Sequence, residues 1–390
     1  MHEHADMHIG PRLRDVRKRR GLSQRELAAA SGVSLSLIRK LEQGEVEGTR
    51  METARRLAVA LRLPTTSLLK RDSESATGVS EPWRAVQLAV QVAGRQSTEA
   101  PTVEGICASL ADVRAAYFDN RLADLSGLLA PLLRDADALG DTTGARDVRA
   151  HLLQIAGSTL TQVRQFEAAE TALQRALDDA PDRLRAAAVV TTWSWLLLRQ
   201  GRLDEARQLA TRWADDVEPR VSRATQEDLA AWGWLLLQAS AANLRDNRTG
   251  EAKDTMRLAR SVAVMTGREL PRGRDRLTTW GPVTVGYKYA ERYVILDKPD
   301  KVLTTAHRMT NGGQVASTEY HRHRLDVAKA HTMMRQYGDA VGVLTDVHTA
   351  APEWLANQRY ARDIVSVVVK KRRTLTPEMR LLADAVAVPL

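Results

Sequence analysis

The chain has a single cysteine, Cys107, among 390 residues. No disulfide can close within it, which fits a reducing cytoplasm, and a lone cysteine in an alanine-rich helical context is expected to be inert core. Aromatic residues make up only 4% of the sequence and phenylalanine occurs twice. That scarcity, with few β-branched runs, argues against a strand-built protein. No stretch of about 18 apolar residues occurs, so no membrane span is expected. The opening "MHEHADMHIG" lacks the apolar centre of a signal peptide. Its His2, His4 and His8 read as part of a disordered tail over residues 1–11 rather than as metal ligands. There is no glycine-rich phosphate loop after a strand, no nucleophile elbow, no paired cysteine and no His-Glu-x-x-His. No catalytic constellation, cofactor site or metal site is expected, and the chain does not read as an enzyme.

Alanine, leucine and arginine dominate, a helix-forming composition that predicts an all-α fold. The length calls for at least two domains. Formal net charge is +9, and residues 1–72 hold 15 Lys and Arg against 9 Asp and Glu, two thirds of the excess. This asymmetry points to a polyanionic partner for the N-terminal part.

Residues 12–70 read as five short helices. Arg12–Arg20 ends at Gly21. Ser23 caps a second helix running to Ala30, with Glu26 at the capping-box spacing. Gly32 permits a left-handed turn, and Ser34 caps a third helix that ends at Gly44. Met51–Leu61 is a fourth helix and Thr66–Leu69 a fifth. Leu13, Val16, Leu27, Ala28, Val33, Ile38, Leu41, Ala54, Leu57, Ala58, Leu61 and Leu68 form the expected core. Two helices joined by a tight turn follow the helix-turn-helix plan, in which the second helix enters the major groove.

The segment "LSQRELAAASGVSLSLIRKLEQGEVEGTRMETARRLAVALRLPTTSLL" resembles the phage-repressor, or XRE (Cro/C1), family of helix-turn-helix domains. Gln24, Glu26-Leu27-Ala28, Gly32-Val33-Ser34, Ile38, Leu41-Glu42 and Gly44 carry the resemblance. The resemblance implies that Gln24 anchors a phosphate and that Ser34 and Arg50 touch the DNA backbone. It implies that Leu35, Ser36, Arg39 and Lys40 face base edges, where Arg39 or Lys40 can donate to guanine and Leu35 can lie on a thymine methyl. Many relatives carry a polar residue where this chain has Leu35.

"RDSESATGVSEP", residues 71–82, reads as a linker. Beyond it, residues 83–390 are a succession of amphipathic helices with an internal repeat. From Phe166, Ala169, Leu173, Ala176, Leu177 and Pro181 follow at set offsets, and Tyr337 opens the same register with Ala340, Leu344, Val347 and Pro352. Further copies start at Leu122, Leu203, Thr249 and Pro299. Nine residues before five of the six starts lie the small residues Gly157, Ser194, Ser240, Ala290 and Ala328, with Val113 as the exception. These spacings resemble the tetratricopeptide repeat, a helix-turn-helix unit that stacks into an α-solenoid with a concave groove.

The resemblance places groove-lining side chains on the first helix of each unit. Carried over, these are Gln154, Ser158 and Gln162, then Thr191, Trp195 and Arg199. Trp234, Leu237 and Arg245 follow, then Tyr287 and Glu291, then Arg322 and Lys329. The alternation of basic and aromatic groups suits a peptide with a carboxylate end. Three other signals read more plainly. His321, His323 and His331 lie in one helix without metal-ligand spacing; "RELPRGRDR", 268–276, reads as a solvated loop; "VKKRR", 369–373, reads as a solvated helix end.

The combination resembles bacterial peptide-pheromone receptors of the RRNPP type and actinobacterial regulators of the same plan. It implies a cytoplasmic homodimeric transcription regulator that binds operator DNA. Its repeat domain would bind a signalling peptide, as in quorum sensing, or serve as a scaffold for a protein partner.

Overall fold

The structure, a computed structural model, describes residues 9–20, 22–46, 49, 51–61, 68, 81–91, 101–273, 276–309 and 318–390. Among them it contains 20 α-helices and no sheet, with one isolated antiparallel bridge between Leu270 and Trp280. The all-α expectation is met.

The N-terminal domain has α1 (Gly10–Arg19), α2 (Gln24–Ser31), α3 (Leu35–Gln43) and α4 (Met51–Ala60). Ser23 and Glu26 form the expected capping box: Ser23 Oγ accepts from the Glu26 amide and the Glu26 carboxylate accepts from the Ser23 amide. Gly32 adopts φ 64° and Gly44 φ 75°, the left-handed region that ends a helix cheaply only in glycine. Leu13, Leu27, Val33, Ile38, Leu41, Leu57 and Leu68 are buried together, as the sequence pattern predicts. The expected tail over residues 1–11 fails at its end, because Ile9 is buried in the same core and α1 begins at Gly10. A Cβ on Gly10 would lie 1.9 Å from the Leu41 carbonyl oxygen, so α1 and α3 can cross this closely only over glycine. The fifth helix, apart from Leu68, and residues 71–80 of the linker lie outside the described residues. Glu81 and Pro82, read as linker, instead open α5 (Glu81–Gln91).

The array continues as antiparallel pairs: α6 (Val103–Phe118) with α7 (Leu122–Ala138), α8 (Thr143–Gln162) with α9 (Phe166–Asp178), and α10 (Arg183–Gln200) with α11 (Leu203–Asp216). Then come α12 (Gln226–Arg245) with α13 (Thr249–Thr266), α14 (Pro282–Ile295) with α15 (Pro299–Met309), and α16 (Thr318–Met333) with α17 (Tyr337–Ala350). A short α18 (Pro352–Ala356), α19 (Arg359–Lys371) and α20 (Pro377–Ala385) complete it. All six repeat starts read from the sequence are the first residue of a second helix.

The turns inside the pairs share one construction. Asn120, Arg164, Gly201, Asn247, Asp297 and Arg335, each two residues before a start, all have positive φ between 56° and 76°. In each turn the next residue's amide reaches back five residues to a carbonyl, as Gln165 does to Leu160 at 2.8 Å and Gln336 to His331 at 2.8 Å. This is the Schellman closure. Only one of the six turns uses glycine, so composition does not reveal it.

The small residues nine positions before each start sit where the paired helices touch. Ser194, Ser240, Ala290 and Ala328 are buried, and Ser240 Oγ donates to the Ala252 carbonyl at 2.8 Å across its pair. A Cβ on Gly157 would come 2.6 Å from Leu173 Cγ. Cys107, expected in the core, is exposed. Helix α6 buries Ile106, Leu110, Val113 and Tyr117, and Cys107 falls on its outward face.

Of residues 268–276, the described ones, 268–273 and 276, do not form the solvated loop expected. Leu270 and Trp280 pair through both backbone amides, at 2.6 and 3.1 Å, and Trp280 is fully buried against Gly233. Arg276 is buried, Leu277 joins the core formed by α5–α10, and the Gly273 carbonyl accepts from Arg114 of α6 at 3.0 Å. The segment is therefore an inward strap between α13 and α14. The array also curls back on itself. Glu353 of α18 accepts from the Ala123 amide at the start of α7 at 2.8 Å, 230 residues away in sequence.

Candidate functional site

The candidate DNA-contacting surface is built on α3. Ile38 and Leu41 point into the core, which fixes the rotation of the helix and turns Ser36, Arg39 and Lys40 outward, all exposed. Leu35 is half-buried. Ser34 is spent on the cap, accepting from the Leu37 amide at 3.3 Å. Gln24, at the first turn of α2, donates to Glu42 Oε2 at 2.8 Å, so its side chain is tied to the core ion pair. Arg50 lies outside the described residues.

The ion pair itself joins α1 to α3. Arg17 donates through Nε and Nη2 to the two oxygens of Glu42 at 2.7 and 2.8 Å, and its Nη1 donates to the Leu22 carbonyl at 2.8 Å. Burial pushes the Glu42 carboxyl up, but the hydrogen bonds from Arg17 and Gln24 outweigh it and hold it below the usual range. A second clamp comes from α4. Arg56 donates to the carbonyls of Ser31 and Gly32, at 3.1 and 2.6 Å, and so fixes the turn between α2 and α3. Neither Arg17 nor Arg56 stood out in the sequence, because a lone arginine carries no spacing signal.

The predicted groove residues of the array mostly engage the protein itself. Gln154 is buried and donates to the Ala188 carbonyl at 2.9 Å; Ser158 shares a 2.7 Å hydrogen bond with the Tyr117 hydroxyl; Gln162 is buried. Thr191 donates to its own helix at Ala187, and the Trp234 indole donates to the Thr279 carbonyl of the strap at 2.7 Å. Gln154, Thr191 and Trp234 do come together, lining a small cavity with Arg276, Leu277 and Thr278 of the strap. Leu237 is buried. Lys329 is half-buried, and its burial lowers its pKa.

Deeper in the array lies a charged interior. Arg245 pairs with Glu291, which also accepts from Lys288 Nζ at 3.0 Å. Burial pushes the Glu291 carboxyl up, but Lys288 and Arg245 bring it well below its usual range. Burial, then the charge of Glu291, raises Asp326, which accepts from the Tyr360 hydroxyl at 3.2 Å. Tyr287 is buried and stacks on His323 with ring centroids 4.6 Å apart. His323 is pushed down to about 4, by burial and then by Arg324. His321 packs near the Trp354 ring, 5.6 Å between centroids. The two histidines thus serve different aromatic neighbours, and no metal-competent cluster occurs among the described residues.

Three predicted residues meet across the curled array. Trp195 and Arg199 come from α10 and Arg322 from α16, and both guanidinium carbons lie 5.9 Å from the Trp195 ring centroid. Two arginines that sequence reasoning missed add to this charge, Arg164 from the turn before α9 and Arg359 from the start of α19.

Comparisons with known proteins bear on the two parts unequally. A search of the curated proteins found no match. Among solved structures, Bacillus thuringiensis PlcR, crystallised with the peptide PapR7 and DNA, is similar at 14% identity and a TM-score of 0.36 over 85% of this chain and 99% of that one. The apo form of ComR from S. thermophilus is similar at 12% identity and a TM-score of 0.26 over 87% of this chain and 99% of that one. Both likenesses are too distant to transfer a site. Among the described residues, no helix is long and apolar enough to cross a membrane. The Helix-turn-helix family matches residues 13–68, the same stretch that α1–α4 and Leu68 enclose around one core. This segment of the chain is a helix-turn-helix DNA-binding domain.

Proposed function

We propose that the protein is a transcription regulator whose α3 reads operator DNA and whose helical array binds an effector that controls this. The observation that carries the DNA half is the rotation of α3: Ile38 and Leu41 are buried, and Ser36, Arg39 and Lys40 therefore face solvent together. An exposed basic pair on the second helix of the motif suits the bidentate donors that guanine accepts. Leu35, half-buried and apolar, suits a thymine methyl. Gln24 and Ser34, beyond the internal hydrogen bonds they already make, and Arg50 would set the register on the phosphates. Two copies would bind half-sites about 34 Å apart, or a multiple of that.

The effector half rests on the predicted groove, where Trp195 of α10 meets the guanidinium groups of Arg199 and Arg322 across the array. A short peptide is the occupant this lining suits best. It would act by binding one curvature of the array better than another; a tenfold preference shifts the equilibrium by about 1.4 kcal/mol. A scaffold for a protein partner is the second reading, favoured by the exposed Leu258, Val264 and Met265 on the outer side of α13.

Genomic footprinting of the intact protein supplies the operator. On that operator, the Arg39→Ala, Lys40→Ala double variant is expected to lose sequence selectivity in fluorescence anisotropy while its helicity and mass in solution stay unchanged. Retained selectivity would overturn the assignment of α3. Salt titration is expected to weaken wild-type binding steeply, because phosphate contacts release counterions.

A further inference from the structure

Between Leu270 and Trp280 the chain forms a loop, described at residues 271–273 and 276–279, whose neck is closed. Leu270 and Trp280 pair there through both backbone amides. Trp280 is fully buried, and its indole donates to Thr266 Oγ1 of α13 at 3.0 Å. Arg276 braces the loop from within: Nε donates to the Thr278 carbonyl at 2.9 Å and Nη2 to the Pro271 carbonyl at 2.7 Å. The loop is thus a preformed unit tied at its base.

The contacts that hold it beyond the neck lie on first helices of the pairs. The Gly273 carbonyl accepts from Arg114 Nη2 of α6 at 3.0 Å, and the Arg272 guanidinium carbon lies 4.1 Å from the ring centroid of Phe118 on the same helix. Arg276 pairs with Glu227 of α12, and the Thr279 carbonyl accepts from Trp234 Nε1 of α12 at 2.7 Å. Between these points, Arg276, Leu277 and Thr278 line a small cavity with Gln154 of α8 and with Thr191 and Thr192 of α10. Leu277 is buried in the core that α5–α10 share. One loop therefore spans α6, α8, α10 and α12, four successive first helices. It lies over Gln154, Thr191 and Trp234, side chains that the repeat resemblance assigns to a ligand. It is held as a foreign segment would be: array side chains donate to its backbone carbonyls, and one leucine is inserted.

We propose that loop 271–279 is an internal plug. It occupies the α6–α12 part of the ligand face in place of the effector, and an effector that binds there must displace it. This rests on the effector reading above for its biological meaning. The closed neck lets the loop leave the face while Leu270 and Trp280 stay in place.

The test uses the full chain with residues 271–279 replaced by Asn-Gly, the two-residue turn that closes a hairpin, so that the neck is kept. The probe is a fluorescein-labelled synthetic peptide of residues 270–280, closed into a ring by a disulfide through Leu270→Cys and Trp280→Cys. A tethered segment competes at an effective concentration on the order of millimolar, so the intact chain should exclude the free copy. Fluorescence anisotropy is expected to show the ring binding the shortened chain about tenfold or more tightly than it binds wild type. A ring that also carries Leu277→Asp is expected not to bind, and Trp234→Phe in the shortened chain, which removes the donor to Thr279, is expected to weaken binding. Equal binding to wild type and shortened chain, or none to either, overturns the plug and leaves the loop a structural brace. Should the shortened chain fail to fold, Leu277→Ser in the full-length chain takes its place and the same comparison decides. Operator affinity is read separately, so failure of the plug leaves the regulator reading standing. A shortened chain that captures the ring yet binds operator as wild type does removes the effector reading and keeps the loop's occupancy of the face.

Discussion

The two parts of the chain put their candidate contacts on opposite kinds of surface. In the helix-turn-helix domain, Ser36, Arg39 and Lys40 stand outside a small core, and everything that holds them in place lies behind them. In the array, the candidate groups point inward, where they compete for partners with the protein itself; Gln154, Ser158, Trp234 and Arg245 already have them. An outward site can therefore be altered with little effect on stability. An inward one is coupled to folding, and its ligand must replace or join internal contacts.

That contrast can be attacked first at its supports. Glu42→Ala leaves Arg17 buried without its partner, and losing one member of a buried pair costs about 3–5 kcal/mol. The expected result is loss of amide protection across α1–α4 in hydrogen exchange, with the array's protection unchanged. If both parts lose protection together, they are not the separate units described. Gly233→Ala comes next. Its Cβ would meet the Trp280 ring at 2.0 Å, and overpacking of this kind costs about 3 kcal/mol. Urea unfolding of the array should shift accordingly, and DNA binding by the outward site should persist at low temperature.

A smaller effect separates the regions by pH. His323 is buried and its folded pKa, about 4, lies below its unfolded value. The unfolded chain therefore binds the extra proton first. The stability this histidine contributes is complete above about pH 6.5 and is lost as pH falls toward 4, by an amount on the order of 3 kcal/mol. His323→Phe, which keeps a ring against Tyr287, should flatten urea midpoints of the array across that window. The buried Asp326 has the opposite sign, since its raised pKa makes stability fall as pH rises, so Asp326→Asn should steepen the acid loss instead. The least effect is expected from Arg335→Gly. Arg335 is exposed at φ 62°, and relieving that left-handed backbone should raise stability by up to about 1 kcal/mol. No gain would mean that the turn is not strained there.

The same contrast explains what the sequence disclosed. Caps and a small apolar core are local, so Ser23, Gly32, Ser34 and the alternation of Ile38 and Leu41 with Arg39 and Lys40 were readable. The repeat starts were readable too, because a small residue must sit where paired helices touch. Contacts made by curvature were not. Nothing near Arg322 in sequence announces Trp195, and nothing in "RELPRGRDR" announces that Leu270 will pair with Trp280 and draw the strap inward. The Schellman turns escaped composition because Arg164 and Arg335 hold a conformation usually left to glycine. Ile9 was lost to the assumption that a chain end is a tail.

The hydrogen bond from the Ala123 amide to Glu353 has a consequence for how such an array can change over evolution. An open stack gains or loses a unit at small cost, since each unit answers only to its neighbours. Here the last part of the stack must arrive at the start of α7. One unit more or fewer would carry Glu353 past its amide and part Arg322 from Trp195 in the same step. A change in the number of units would therefore also break this closing contact, a constraint that an open stack does not carry.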